Sequence, residues 1–267
     1  MQHHSNLILD STLTRDTHEF LLFSGKRAAA AEIAKTVFKT PHLDSETANS
    51  LVADLLNKDA RFILHADSTV ELLVPDFRDR KLTETDFIVL DTETTGSKPR
   101  TARVMEIGAY RVRNNKVVEE FETLVNPNAI IPMNIVALTG IDNEMVARAP
   151  QFGEIVDDFL EFVGDSILIA HNAPFDIGFL NSEINRVFPD FKLANSHFCT
   201  VRLSRKLLPE LKNHRLHTIA EHFSIPIFNR HRAGGDALAT AKIFIRFLEL
   251  LDKKGVKDLA ALKNLKI

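Results

Sequence analysis

The stretch Phe87-Ile-Val-Leu90, running directly into Asp91-Thr-Glu93-Thr-Thr-Gly96, constrains this chain more than any other. Four consecutive apolar residues predict a short strand buried on both faces, the central position of a sheet covered by helices. Side chains alternate along a strand, so Asp91 and Glu93 leave the same face at its end. Two acids placed that close to a buried strand are expensive unless something pairs with them.

Two other segments supply more of the same chemistry. Asp176 closes His171-Asn-Ala-Pro-Phe-Asp176, in the first turn of a helix after the apolar strand Ser166-Ile-Leu-Ile-Ala170. His231 and Asp236 bracket His231-Arg-Ala-Gly-Gly-Asp236, where the last long helix begins. That helix is predicted from about 236 to 251, with Leu238, Ala241, Ile245 and Leu248 on one face. In one regular helix His231 and Asp236 would point roughly 140° apart. His231 is therefore expected on a preceding loop, with Gly234-Gly235 supplying the flexibility to place it. Four carboxylates and one imidazole suit two hard divalent cations held by oxygen, with a general base beside them. Such a pair of cations stabilises the attacking and leaving oxygens of a phosphodiester displacement. Without cations, the four acids repel one another and resist ionisation.

Strand-like stretches at 104–112 and 117–125 flank the turn Asn114-Asn115, and a short strand is expected around 196–200. Helices are predicted at 152–163, 175–186, 201–208 and 216–223, which makes an α/β domain with a mixed sheet and helices on both faces. Residues 1–80 read as a small winged-helix-like domain. Helical spacing recurs at Ile33, Ala34, Val37 and Phe38 and again at Leu51, Val52, Leu55 and Leu56, followed by a hairpin from Arg61–His65 and Val70–Val74. Asp44 or Ser45 is expected to cap the second helix. The charged stretch 75–81 reads as a linker, 81–251 as the second domain, and 252–267 as a C-terminal tail whose residues 253–263 form a short helix that packs on the domain or docks a partner.

No apolar run approaches the roughly 20 residues of a membrane span, and Met1-Gln-His-His-Ser-Asn is not a signal peptide. A single cysteine, Cys199, excludes an internal disulfide, fits a reducing cytoplasm and reads as a small buried apolar residue. The net charge of -3 does not advertise a nucleic-acid binder, but the charge is uneven. Residues 200–232 carry seven Lys or Arg (Arg202, Arg205, Lys206, Lys212, Arg215, Arg230, Arg232) against two acids, a stretch able to track a phosphate backbone. Residues 1–80 hold nine Lys or Arg against twelve Asp or Glu, which favours protein docking over DNA binding for that unit.

The segments Phe87–Gly96, Arg103–Ala109, Leu138–Ile141, Ala170–Leu180 and His231–Asp236 together resemble the DEDD-type 3'-5' exonucleases of the RNase H-like fold, in the subgroup with a His-x4-Asp third motif. The proofreading epsilon subunit of bacterial replicative polymerase and RNase T belong to that family. The resemblance implies a five-stranded mixed sheet, two Mg2+ or Mn2+ ions, and release of nucleoside 5'-monophosphates from 3' ends. It makes Asp91, Glu93, Asp176 and Asp236 the metal ligands and His231 the residue that activates water. It also implies substrate contacts from Thr94, Thr95 and Gly96, from Leu138, Thr139 and Ile141, and from His171 and Asn172; Arg232 joins them as part of the basic stretch. Single-stranded DNA is the expected substrate, in replication or repair. An RNA 3'-end trimmer and a non-catalytic scaffold working through residues 1–80 are the alternatives.

Overall fold

The computed structural model describes residues 4–74 and 80–265, so residues 75–79 of the expected linker and Met1–His3 lie outside the described residues. The chain divides into two compact units, Met1–Pro75 with Ile184–Ala194, and Asp76–Glu183 with Asn195–Ile267.

The N-terminal unit runs β1 (Leu7–Leu9), α1 (Thr12–Phe23), β2 (Arg27–Ala29), α2 (Ala30–Thr36), α3 (Ser45–Leu56), β3 (Phe62–Leu64) and β4 (Thr69–Leu72). The expected hairpin is present, with Phe62 opposite Leu72 and Leu64 opposite Val70, and β2 pairs antiparallel with the other edge of β4. Leu21, Ile33, Val52, Leu56, Val70 and Leu72 form its core. Asp44 caps α3 by accepting from the Thr47 amide at 2.9 Å. Helix α1 had not been foreseen; Ser11 and Thr14 cap it reciprocally, each hydroxyl accepting the other's backbone N–H. Strand β1 was likewise unforeseen. It pairs antiparallel with Phe191–Leu193, the ninth strand β9, which this unit also contains.

The larger unit contains β5 (Phe87–Thr94), β6 (Val104–Arg113), β7 (Lys116–Leu124), α4 (Met133–Thr139), α5 (Asn143–Ala147), α6 (Phe152–Val163), β8 (Ile167–Ala170), α7 (Ala173–Val187, whose last turn passes into the other unit), β10 (His197–Cys199), α8 (Thr200–Leu207), α9 (Leu216–His222), α10 (Ala233–Lys253) and α11 (Leu259–Asn264). Its sheet has the order β10-β8-β5-β6-β7. Strands β10, β8 and β5 are parallel, while β6 and β7 add antiparallel through a turn in which Asn114 and Asn115 both adopt positive φ. This is the mixed five-stranded sheet anticipated from the motifs. Cys199 is buried, as expected.

Alternation sorts the sheet into two faces. Phe87 and Val89 stand level with Val112, Tyr110, Ile167 and Ile169, and all six join Phe244 and Phe247 of α10 in one core. Ile88 and Leu90 leave the other face and are equally buried. On β7, Phe121 packs edge-on against Phe159 of α6. The helix expected over 253–263 is shorter: α10 runs on to Lys253, and Gly255 turns the chain at positive φ. Helix resumes only at Leu259 as α11, with Leu259 and Leu262 buried beside Leu82 in the α10 core. No helix among the described residues is long and apolar enough to cross a membrane.

Candidate active site

Asp91 and Glu93 follow Val89 on the face that α10 covers, and Asp236 lies in the first turn of that helix. Carboxylate oxygens of Asp91, Glu93 and Asp236 all lie within 4.8 Å of one another. Asp176 comes from the first turn of α7 and is outside that trio. Its Oδ1 accepts from the backbone N–H of Thr92 at 3.0 Å and the Thr92 hydroxyl at 2.9 Å, so the fourth acid is tied to the residue between the first two. A register shift falls between Glu93 and Thr94, after which β5 resumes pairing with β6 at Thr94 and Val104.

The start of α10 is pressed onto the sheet at one place. A Cβ on Gly108, which pairs with Asp91, would come within 2.5 Å of the Ala233 carbonyl. Beside it Glu106, opposite Glu93, grips the helix start: its carboxylate accepts from Arg232 Nε at 3.0 Å and Nη2 at 2.5 Å and from the Ala233 amide at 2.7 Å. Glu106 is thus a buried acid with its partners supplied, and Arg232, expected on substrate, has its guanidinium in that fork. His231 sits before the helix as predicted, in a left-handed conformation (φ 61°), and its N–H donates to Asp236 Oδ2 at 3.0 Å. The role expected of Gly234-Gly235 needs correcting. Both are inside α10 and serve close packing: a Cβ on Gly235 would collide with the Phe228 carbonyl, and one on Gly234 with the Glu122 carboxylate. Positive φ at Asn229 and His231, not glycine flexibility, aims the loop.

The other expected substrate residues are placed unevenly. Thr94 and Thr95 are buried; the Thr94 hydroxyl donates to the Gly96 carbonyl at 2.7 Å, and Thr95 Oγ1 accepts from the Arg103 amide at 3.0 Å. Leu138 is half exposed, while Thr139 and Ile141 are buried, Ile141 within a small core with Met105 and Val146. Asn172 is exposed with positive φ at the head of α7. His171 has its Nδ1 2.9 Å from the Thr200 hydroxyl and a hydrogen bond to the His214 backbone, and burial pushes it down to about 4, so it stands neutral. Thr200, His214 and Glu106 were not singled out as site residues, because their roles arise from contacts distant in sequence.

The acids show what the cluster lacks. Burial, then the charges of Asp176, Glu93, Asp236 and Glu106, holds Asp91 well above the carboxylate range; it keeps a solvent-facing edge but is otherwise enclosed by protein. Burial, then Asp236 and Glu106, pushes Glu93 up to about 7. Burial also raises Asp176 to about 7 against the two Thr92 donors, and raises Asp236 against the His231 N–H. Asp236 Oδ1 is buried with no hydrogen-bond partner. An all-oxygen donor set with an orphaned buried oxygen fits hard divalent cations.

Residues 88–244, more than half the chain, match the family described as Exonuclease. Over 180 residues the chain is 41% identical to the DNA polymerase III subunit epsilon of Aquifex aeolicus, covering 67% of this chain and 89% of that one. It is 42% identical over 181 residues to the PolC-type DNA polymerase III of Caldanaerobacter subterraneus subsp. tengcongensis, covering 68% of this chain; it spans only 13% of that much longer relative. Among solved structures, exonuclease X in complex with 5' overhanging duplex DNA matches with TM-score 0.50 and 26% identity, over 63% of this chain and 93% of that one. Exonuclease I of E. coli in complex with a dT13 oligonucleotide matches with TM-score 0.56 and 19% identity over 64% of this chain and 43% of that one, a likeness of fold. The family match spans all three acidic segments, and the epsilon relative is matched over nearly its whole length: the chain belongs to the exonuclease family.

Proposed function

We propose that this nuclease hydrolyses phosphodiester bonds at the 3' ends of DNA, single strands favoured, and releases nucleoside 5'-monophosphates. The observation that carries the reading is the Asp91, Glu93 and Asp236 trio, within 4.8 Å and with one buried oxygen unpartnered. Those three, with Asp176 beside them, are the residues that would hold two Mg2+ or Mn2+ ions. Bound there, the ions would supply charge stabilisation to the attacking and leaving oxygens.

The chain's own residues do the rest. His231 accepts the proton of the attacking water, and its backbone N–H holds Asp236 Oδ2, so one loop sets both base and ligand. Glu106 and Arg232 fix that loop to β6, which offsets the strain of a left-handed His231. Thr92 orients Asp176. Thr94, Thr95, Gly96, Leu138 and Asn172 stand as the surroundings of the terminal nucleotide; Thr139, Ile141 and His171 support them from within. A DNA substrate is favoured over RNA by the polymerase subunits among the relatives and the DNA-bound exonuclease structures.

In this reading residues 1–80 are a winged-helix-like domain that docks a protein partner; the helix–helix–hairpin order and the excess of acidic residues support that assignment. A cytoplasmic location is part of the same reading, supported by the single cysteine. Degradation of end-labelled single-stranded DNA, duplex DNA and RNA, side by side with Mg2+ or Mn2+, tests it. Single-stranded DNA should be shortened from its 3' end fastest, and activity that persists in excess chelator contradicts the account.

A further inference from the structure

Resting on the exonuclease reading, we infer that Arg215 and Arg230 form a second phosphate subsite, one that holds a backbone phosphate of the substrate strand on the 5' side of the scissile bond. Seven cations crowd residues 200–232, and the structure separates these two from the others. An open cleft of about 270 Å3 is lined by Arg215, His217, Arg230, His171, His231 and Asp236, so it begins at the metal-ligand acid and the proposed base. Arg232 is committed to Glu106, and Arg202, Arg205, Lys206 and Lys212 do not line the cleft. Arg215 and Arg230 are exposed, and among the described residues neither has a carboxylate within ion-pair distance.

Their positions are fixed from two sides. Arg215 is the residue at which α9 begins, and its backbone N–H donates to Asn213 Oδ1 at 3.1 Å. Arg230 is held in the loop between Asn229 and His231, both at positive φ, and lies near enough to Asp236 for its charge to act on that carboxyl. Of the cleft's three imidazoles, the buried His171 is neutral, and the two guanidiniums are its permanent positive charges. A scissile phosphodiester seated at Asp236 must continue somewhere, and this is a cationic groove adjoining that carboxylate. Guanidinium groups, with their forked donors, suit phosphate oxygens.

The test compares wild type with the Arg215→Gln, Arg230→Gln double variant on two substrates. One is a single-stranded DNA 10-mer; the other is the p-nitrophenyl ester of thymidine 5'-monophosphate, which has a scissile phosphate and no other. On the 10-mer, kcat/KM should fall about 10- to 100-fold, mostly through KM, and the slope of log kcat/KM against log salt should flatten by about 0.7 to 1.4. On the ester, the loss should be several-fold smaller. An equal loss on both substrates would place the arginines at the scissile phosphate and overturn the subsite, and an unchanged salt slope would overturn it too. A wild type that cleaves neither substrate would instead overturn the exonuclease reading beneath it.

Discussion

Asp59 in the N-terminal unit and Asp236 in the exonuclease unit are both almost wholly buried, and the fold treats them in opposite ways. Asp59 is answered on every side: Arg61 donates from Nε at 2.9 Å and Nη2 at 2.6 Å, and the Leu9 amide donates at 3.0 Å. Asp236 has one backbone donor, two acidic neighbours and an oxygen with nothing bound to it. The exonuclease unit does not lack the means to pair an acid. Its buried Glu106 and Glu183 are each forked by an arginine, Arg232 and Arg103. The contrast is therefore local, and it supports the proposal that the partner of the trio comes from outside the chain.

The largest effect should come from removing a member of the uncompensated set. Asp91→Ala or Asp236→Ala is expected to lower the exonuclease rate by at least about 1,000-fold, because several kcal/mol of charge stabilisation go with the ligand. Measured on end-labelled DNA, an Asp91→Ala protein with robust activity would break the comparison. Next is His231→Ala, expected to lose roughly 100- to 10,000-fold in rate. Calorimetric Mn2+ binding should largely survive in it; loss of the metal instead would make His231 a ligand.

Stability should separate the two aspartates by sign. Asp59→Ala strands the Arg61 charge and the Leu9 N–H, and urea denaturation should report a loss of about 3 kcal/mol. Asp236→Asn, by contrast, removes one of the mutually repelling charges and should raise the melting temperature of the metal-free protein. If both substitutions destabilise equally, the trio is a compensated structural feature.

Most of the site was legible because its signals are local. A four-residue apolar run, an Asp-x-Glu spacing and the head of a helix can each be read within ten residues, and Phe152–Val163 came out with its observed limits. What escaped depends on long-range pairing. Strand β1 meets Phe191–Leu193, more than 180 positions away, so no local pattern announces either partner. The grip of Glu106 on Arg232 spans 126 positions, and it turned an expected substrate residue into one with a structural partner. Gly234-Gly235 was read as flexible because sequence shows a glycine's freedom but not what lies against it. Helix α1 carried a readable signal, the Ser11 and Thr14 cap, without a strong apolar stripe beside it.

A smaller effect follows from protons. Ordinary carboxylates in the unfolded chain ionise near pH 4, whereas Glu93 and Asp176 in the folded protein hold their protons to about 7. Between those values the native state binds more protons than the unfolded one, so metal-free stability should fall as pH rises through about 4 to 7 and level off above. Thermal melts in chelator across that range check the sign; a rise in stability over the window would mean that the acids are paired.

The central claim, that Asp91, Glu93 and Asp236 await divalent cations, is tested most directly by Mn2+ titration of the metal-free protein at pH 8, followed by melting temperature. At about 100 times the dissociation constant, the wild type should gain about 2.7 kcal/mol of stability, and the Asp236→Asn protein should lose most of that gain. A wild type whose melting temperature ignores Mn2+, or an Asp236→Asn protein that responds as fully as wild type, would contradict the account.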